Sequence, residues 1–273
     1  MVTITLSAEA FERSLDRCVQ CGFCLPVCPT YRLFNDEESS PRGRIARLRA
    51  IVDGEVAANA ATLQTYDECL GCRACEPACP AGVMYEDVFL AGREALAQTQ
   101  TLPFDASALL WLIKSPTRLQ VAARLWRLTG KVAVTIARFL PAKTPFALLA
   151  ALPPPTPAGP ASDSVTVQPQ AVVHRGCLMD IFWARTNRRA AVLLSAAGIP
   201  AAELSAAAGC CGALHAHQGD RDTARSLARR TIRAFESSGA RTIVSLAGGC
   251  GAFMAEYPDL FAPDDPWRAR AQR

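Results

Sequence analysis

Two runs of four cysteines constrain this chain more than any other feature of its sequence. Both runs have the spacing C-x2-C-x2-C-x3-C-P, once from Cys18 to Pro29 and once from Cys69 to Pro80. Three cysteines at three-residue steps can wrap a loop around a cubane so that each thiolate meets a different iron, and the fourth ligand then comes from elsewhere. The spacing therefore predicts a domain that binds two 4Fe-4S clusters.

In a two-cluster arrangement, the last cysteine of each run binds the cluster of the other run. The predicted ligands of cluster 1 are Cys18, Cys21, Cys24 and Cys79. Those of cluster 2 are Cys69, Cys72, Cys75 and Cys28. The alternatives are zinc bound by four cysteines and plain buried thiols. Zinc motifs usually bring two ligands from each of two short knuckles, which fits two complete runs poorly.

The composition is that of an ordinary folded protein. Half of the 273 residues are apolar and a fifth are charged, and the length exceeds the usual size of one domain. The formal net charge of +4 comes without a dense basic run with interleaved aromatic residues. We therefore expect two domains and no nucleic-acid partner.

The N-terminus and the apolar stretches bear on the cellular compartment. Residues 1–7 have neither the basic start nor the long apolar core of a secretory signal. Twelve cysteines without such a signal indicate a reducing cytosol rather than a disulfide scaffold. No stretch approaches the roughly 18 to 20 apolar residues that span a bilayer. The sequence predicts a cytoplasmic location, free or peripheral on the inner face of the cell membrane.

Residues 101–150 are predicted to form a basic amphipathic helical segment. On a helical wheel, Arg124, Arg127, Lys131 and Arg138 share one face, opposite an apolar face that includes Leu125. Two interpretations stay open for residues 114–143. They contact anionic lipid or a membrane partner, or they form an ordinary solvated helix face whose other side packs on the domains.

The fold class predicted is α + α/β. A helical ferredoxin-like domain occupies residues 1–100, and residues 151–168 form a proline-rich linker after the basic segment. Residues 169–273 alternate predicted strands, at 171–174 and 242–246, with predicted helices. That alternation indicates a small α/β module with a short parallel sheet.

A second set of cysteines lies in glycine-flanked loops of this α/β module. The set consists of Cys177, Cys210, Cys211 and Cys250. The loops follow predicted strands or precede helices, where parallel sheets place ligand sites. Three interpretations stay open: a further iron-sulfur cluster, a thiol/disulfide redox pair, or small buried residues without chemistry.

Several segments together resemble the family of glycolate oxidase iron-sulfur subunits. Its ferredoxin region is matched by residues 28–31 (CPTY), 40–45 (SPRGRI) and 69–75 (CLGCRAC). Its cysteine-rich CCG module is matched by residues 210–215 (CCGALH) and 247–252 (AGGCGA). The resemblance spans nearly the whole chain.

This resemblance implies an electron-transfer subunit of a flavin-linked 2-hydroxy-acid oxidase. In that family, flavin subunits oxidise glycolate, the iron-sulfur subunit accepts the electrons, and these pass toward membrane quinone. The chain has no Gly-rich dinucleotide fingerprint and no positioned base, so no complete active site is expected in it alone. Alternatives are an iron-sulfur subunit of a lactate or glycerol-3-phosphate dehydrogenase, and a redox protein similar to heterodisulfide reductase.

Two departures from the related pattern are visible. Heterodisulfide reductase relatives close the CCG module with Cys-x-x-Cys, whereas Phe253 stands where the second cysteine would be. Members of the family usually carry two CCG modules, and this chain has one. Residues 265–273 resemble the opening of the next helix and give no stop signal. A C-terminally truncated chain, without the second module, is therefore expected.

Overall fold

A computed structural model describes Val2, Ile4, residues 6–137, Pro155 and residues 168–273. It divides into two compact units. The first consists of residues 1–102 and 214–221, and the second of residues 103–213 and 222–273. The predicted linker, apart from Pro155 and Gln168, and the basic residues after 137 lie outside the described residues. The predicted boundaries between domains stay predictions.

The first unit is helical in the residues described. Its helices are α1 (Ala8–Phe11), α2 (Pro29–Phe34), α3 (Pro41–Val52), α4 (Ala60–Glu68) and α5 (Tyr85–Ala97), with a π-helical turn at Glu12–Asp16 and a 3-10 turn at Glu37–Ser39. The residues α3 contributes to the core are Ile45, Leu48 and Ile51. Their spacing puts them on one helix face.

Local sequence explains where α3 begins. The Ser40 hydroxyl accepts a hydrogen bond from the Gly43 backbone N–H at 2.9 Å, and Pro41 occupies the first helical position. A serine cap satisfies one of the free N–H groups of the first turn, and proline has no N–H to leave unpaired. Residues 40–45 therefore start the helix that carries Arg42 and Arg44 between the cysteine runs.

Helices α4 and α5 pack closely at Gly92. A Cβ atom at this position would lie 2.2 Å from the Cδ1 atom of the Tyr66 ring. The Tyr66 side chain is fully buried, and its hydroxyl donates to the Arg44 carbonyl oxygen at 2.6 Å. The missing side chain of Gly92 thus lets an aromatic ring connect α5 with α3.

The second unit combines helices with a three-stranded sheet. Its helices are α6 (Phe104–Ile113), α7 (Pro116–Ala137), α8 (Leu178–Phe182), α9 (Ala184–Ala196), α10 (Ala213–Ala216, which runs into the first unit), α11 (Arg221–Ser238), α12 (Gly248–Ala255) and α13 (Pro266–Gln272), with a 3-10 turn at Tyr257–Leu260. The strands are β1 (Ala171–His174), β2 (Ala201–Glu203) and β3 (Thr242–Ser245).

The sheet is parallel, with β1 between β2 and β3. Val172 is opposite Ala202 on one side and Ile243 on the other. All four residues of β1 are buried, as expected of a central parallel strand covered on both faces. The predicted α + α/β fold class with a short parallel sheet is confirmed. None of the helices among the described residues is long and apolar enough to span a membrane.

Candidate iron-sulfur sites

The two cysteine runs of the first unit adopt the same loop conformation. Gln20 and Gly22 have positive φ angles of 56° and 87°, and the equivalent residues of the second run, Gly71 and Arg73, have 61° and 58°. When residues in the left-handed conformation alternate with residues in right-handed or extended conformations, successive backbone N–H groups turn toward one side. This makes a concavity suited to anions and iron-sulfur groups. The sequence repeat is therefore also a repeat of backbone geometry.

The hydrogen bonds after each loop repeat as well. In each run, the residue that follows the third cysteine donates its backbone N–H to the carbonyl three residues earlier. The fourth cysteine then donates to the carbonyl of that residue, so two overlapping turns carry the chain away from the loop. The distances from nitrogen to oxygen are 3.0 and 3.1 Å in the first run and 3.0 Å for both bonds in the second.

A cavity of about 420 Å³ lies inside the first loop. The cysteines that line it are Cys18, Cys21, Cys24, Cys75 and Cys79. Four of these are the predicted ligands of cluster 1, including the one that comes from the second run. The remaining wall is mostly apolar and includes Ile45, Val83 and Tyr85.

A second cavity, of about 310 Å³, lies inside the second loop. The cysteines that line it are Cys28, Cys69, Cys72 and Cys75. These are the four predicted ligands of cluster 2, with Cys28 contributed by the first run. Arg44, Thr30 and Tyr85 complete much of the wall. The sequence did not indicate these three residues, because nothing in the surrounding motifs predicts that their side chains lie beside a cavity.

The thiols differ in exposure and in acidity. Cys21 and Cys72, the second cysteine of each run, are exposed, whereas Cys28 and Cys75 are buried. Burial raises the pKa of the Cys18, Cys24, Cys69 and Cys75 thiols above the ordinary range. Without metal these thiols keep their protons, and metal binding releases them, so binding weakens as pH falls.

The donor set of each cavity fits a cubane. A 4Fe-4S group takes four thiolates at four separate irons, so its ligands surround a cavity rather than converge on one ion. Among the residues described, no three Cys, His, Asp or Glu side chains are arranged to hold a single metal ion. Each cavity offers four cysteines and backbone N–H groups. The assignment of individual ligands stays a prediction.

A short segment of the predicted CCG module belongs to the first unit. We call residues 214–221 the strap. The His217 ring packs edge-on against Phe89, with 5.1 Å between centroids, and the Arg93 guanidinium donates to the His217 carbonyl oxygen. Burial, aided by the positive charge of Arg93, lowers the pKa of His217 to about 4, so the ring is neutral at neutral pH.

The strap also lies against the second cysteine loop. A Cβ atom at Gly71 would be 3.1 Å from Phe89 and 3.5 Å from the His217 ring. A Cβ atom at Gly219 would be 2.7 Å from the Arg93 carbonyl oxygen, and Gly219 has a φ of +78°. Two glycines therefore permit this close packing, and both positions require left-handed backbone.

The second unit brings its four cysteines together. Cys177 precedes α8, Cys210 and Cys211 precede α10, and Cys250 lies in the first turns of α12. The four side chains are close enough to affect one another's acidity: Cys210 acts on Cys177 and Cys211, and Cys250 acts on Cys211. The three loops that the sequence separated by up to 73 positions (from 177 to 250) thus form one thiol group near the ends of parallel strands.

These contacts perturb the acidity of the thiols. The hydrogen bond with Cys210 and burial raise the pKa of Cys177, and hydrogen bonds with Cys210 and Cys250 raise that of Cys211. The Cys211 hydrogen bond lowers the pKa of Cys250. A lowered pKa favours the thiolate form of Cys250, which is the form that takes part in thiol exchange.

A cavity of about 320 Å³ adjoins this thiol group within the second unit. Cys177 and Cys210 line it together with Arg175 and Asp180, which form an ion pair at 2.8 Å. The Tyr257 hydroxyl donates to the Cys211 carbonyl oxygen at 2.7 Å and fixes the loop from the other side. The thiol group therefore has both a rigid support and free space beside it.

Comparisons with known proteins agree with these sites. Residues 14–83 match the family described as a 4Fe-4S dicluster domain, and residues 171–255 match the cysteine-rich domain family CCG. Lactate utilization protein A of Macrococcus caseolyticus is 35% identical over 96 residues, which cover 35% of this chain and 38% of that protein. No solved structure matches the chain.

Two relatives match most of the chain. The probable glycolate oxidase iron-sulfur subunit of Bacillus subtilis is 34% identical over an alignment that covers 95% of this chain and 63% of the relative. The glycolate oxidase iron-sulfur subunit of Escherichia coli is 33% identical, with 98% and 65% covered. The chain thus spans less than two thirds of the length of these relatives. The chain carries both domain types and is homologous to the glycolate oxidase iron-sulfur subunits.

Proposed function

We propose that this chain is the electron-transfer subunit of a flavin-linked 2-hydroxy-acid oxidase or dehydrogenase, with glycolate as the substrate of the complex. The observation that supports this most is the pair of cavities, each lined by three cysteines of one run and the last cysteine of the other. When bound there, 4Fe-4S clusters supply one-electron carriers. Flavin-containing subunits would deliver the electrons, and membrane quinone would receive them indirectly.

The chain's own residues contribute binding, insulation and access. The wall of the first cavity is mostly apolar, and the shared wall residue Cys75 places the two sites next to each other. Cys21 and Cys72 are exposed, so each site has one side at the surface where an electron can enter or leave. Two adjacent cluster sites, each with its own exposed side, are suited to electron transfer through the domain.

Iron and acid-labile sulfide analysis with EPR of the reduced protein tests this function. We expect about eight irons and eight sulfides per chain from the two runs, since each cubane holds four of each. A content of about twelve irons would add a cluster at Cys177, Cys210, Cys211 and Cys250. Zinc without sulfide would contradict the proposal. Co-purification with flavin-containing subunits tests the assignment of partners.

The thiol group of the second unit supports a second candidate function, a thiol/disulfide redox protein. The mutual influence of Cys210, Cys211 and Cys250 on their acidity supports this candidate, because thiol exchange needs neighbouring thiols. In that case Cys211→Ser would abolish turnover of a disulfide substrate, whereas an electron-transfer subunit would still reduce its clusters. Iron content near eight combined with unchanged cluster reduction in Cys211→Ser favours the first function.

We also propose that residues 114–143 contact anionic membrane lipid from the cytoplasmic side. Val121, Leu125 and Leu128 follow one another at helical spacing on α7 and are 48%, 57% and 81% exposed. Arg124 and Arg127 lie on the same helix. An exposed apolar stripe beside basic residues is typical of helices that lie in the membrane interface. Residues 138–143 are outside the described part of the chain.

Vesicle sedimentation tests this contact. A basic residue near an anionic surface contributes about 1 kcal/mol, so the double variant Arg124→Glu, Arg127→Glu should lower binding to vesicles rich in phosphatidylserine at least tenfold. High salt should have a similar effect on the unaltered protein, because it screens surface charge. Arg241→Glu, an exposed site far along the chain, is the control and should bind normally. Binding that salt does not weaken would contradict electrostatic attachment.

A further inference from the structure

One arginine is enclosed in the wall of the second cavity. Arg44, on α3, is 0% exposed and lines this cavity with Cys28, Cys69 and Tyr85. Arginine is almost never fully buried unless its charge is paired. Among the residues that the structure describes, Arg44 forms no ion pair with a carboxylate. Its positive charge therefore needs another source of compensation.

The hydrogen-bond partners of Arg44 are neutral. Its Nε atom donates to the Thr65 carbonyl oxygen at 2.7 Å, and both terminal nitrogens donate to the Thr30 hydroxyl oxygen at 3.2 Å. These bonds satisfy donors and fix the guanidinium in place. They do not neutralise it, and an unpaired charge inside a protein is costly.

Both short connections from Arg44 lead to predicted ligands of cluster 2. The Thr30 hydroxyl oxygen is 3.2 Å from the Cys28 sulfur. The Tyr85 hydroxyl, in the same cavity wall as Arg44, is 3.8 Å from the Cys69 sulfur. A cluster bound by Cys28 and Cys69 would place the negative charge of its thiolate ligands next to Arg44.

The first cavity has a different electrostatic wall. Arg42, two residues before Arg44, lines it, but this guanidinium pairs with Glu37 through two contacts of 2.5 and 3.1 Å. The Arg42 and Glu37 side chains are partly exposed, so water screens the pair. The two otherwise similar loops thus differ by one enclosed, uncompensated positive charge.

We propose that Arg44 is the charge-compensating residue of cluster 2 and that it selectively raises the reduction potential of this cluster. The inference rests on the proposed function, because it requires a cluster in the second cavity. Reduction adds one electron to a group already made anionic by four thiolates. A fixed positive charge in a low-dielectric wall favours that added negative charge, whereas a solvated and paired charge has little effect.

Redox titration followed by EPR tests the proposal on the full chain with its clusters. Dithionite supplies the electrons, and the signal absent from Cys28→Ser identifies cluster 2. In Arg44→Gln we expect the equilibrium constant for one-electron reduction of cluster 2 to fall at least tenfold. This corresponds to a reduction potential lower by about 59 mV. Cluster 1, measured in the same sample, should keep its potential. Arg44→Lys, which retains the charge, should restore most of the shift.

Two comparisons keep the outcome decisive. Arg42→Gln is the matched control and should leave cluster 2 unchanged. If Arg44→Gln takes up too little iron to titrate, Thr30→Val is used instead. This variant removes the hydroxyl between Arg44 and Cys28 but keeps the charge of Arg44. We then expect a smaller decrease in reduction potential, at cluster 2 alone. An unchanged cluster 2 potential, or equal shifts of both clusters, would overturn the proposal. Absence of iron from the unaltered protein would instead overturn the proposed function.

Discussion

Cys79→Ser is expected to remove the cluster of the first run, although Cys79 belongs to the second run. The reason is that Cys79 lines the cavity formed by the loop from Cys18 to Cys24, and Cys28 lines the cavity of the other loop. Iron should fall from about eight to about four per chain in either Cys79→Ser or Cys28→Ser, because each loses one cubane. The two variants should retain different clusters.

The EPR spectrum of the retained cluster distinguishes crossed from uncrossed ligation. Cys21→Ser and Cys72→Ser remove the exposed cysteine of each run and serve as references. With crossed ligation, the spectrum of Cys79→Ser should match that of Cys21→Ser, and the spectrum of Cys28→Ser should match that of Cys72→Ser. The opposite pairing would show that each run binds its own cluster with all four of its cysteines.

Gly92→Ala should strongly destabilise the first unit. A Cβ atom at Gly92 would lie 2.2 to 2.5 Å from three atoms of the Tyr66 ring, which is fully buried and cannot turn toward solvent. Overpacking of this severity costs about 3 kcal/mol, the upper end of the usual range. For a unit of this size we expect the unfolding temperature to fall by more than about 10 °C.

Thermal unfolding followed by circular dichroism measures this effect, and Gly54→Ala provides the comparison. A Cβ atom at Gly54 would meet nothing within 4 Å, but the residue has a φ of +78°. Gly54→Ala should therefore lower the free energy of unfolding by only about 1 to 2 kcal/mol, because alanine is strained in the left-handed conformation. An unfolding temperature for Gly92→Ala equal to that of Gly54→Ala would refute steric packing against Tyr66 as the cause.

The core of α3 was predictable from spacing, but the position of Arg44 was not. Ile45, Leu48 and Ile51 recur at helical intervals, and all three are buried as that pattern predicts. A charged residue beside such a stripe normally lies at its solvated edge. Arg44 is instead enclosed, because the cavity formed by residues distant in sequence supplies its surroundings. Only the assembled structure shows this environment.

The sheet also contains elements that the sequence predicted and one that it did not. Strands β1 and β3 contain consecutive β-branched residues and were predicted, whereas Ala201–Glu203 has no β-branched or aromatic side chain and gave no signal. Pairing with the buried edge of β1 is what makes β2 a strand. The proximity of Cys177 to Cys210 was likewise indicated only in general terms, by the rule that ligand sites lie beyond the carboxyl ends of parallel strands.

The strap has a consequence for the order of events during synthesis. Arg93 and His217, which are joined by a hydrogen bond in the first unit, are 124 positions apart in the chain. At about 5 to 20 residues per second, a ribosome takes roughly 6 to 25 s to travel between them. The ferredoxin unit therefore cannot finish folding when its last cysteine has emerged. Iron delivered within that interval meets a Cys69–Cys72 loop whose backbone is not yet covered by His217, and cluster assembly and translation of the second unit overlap in time.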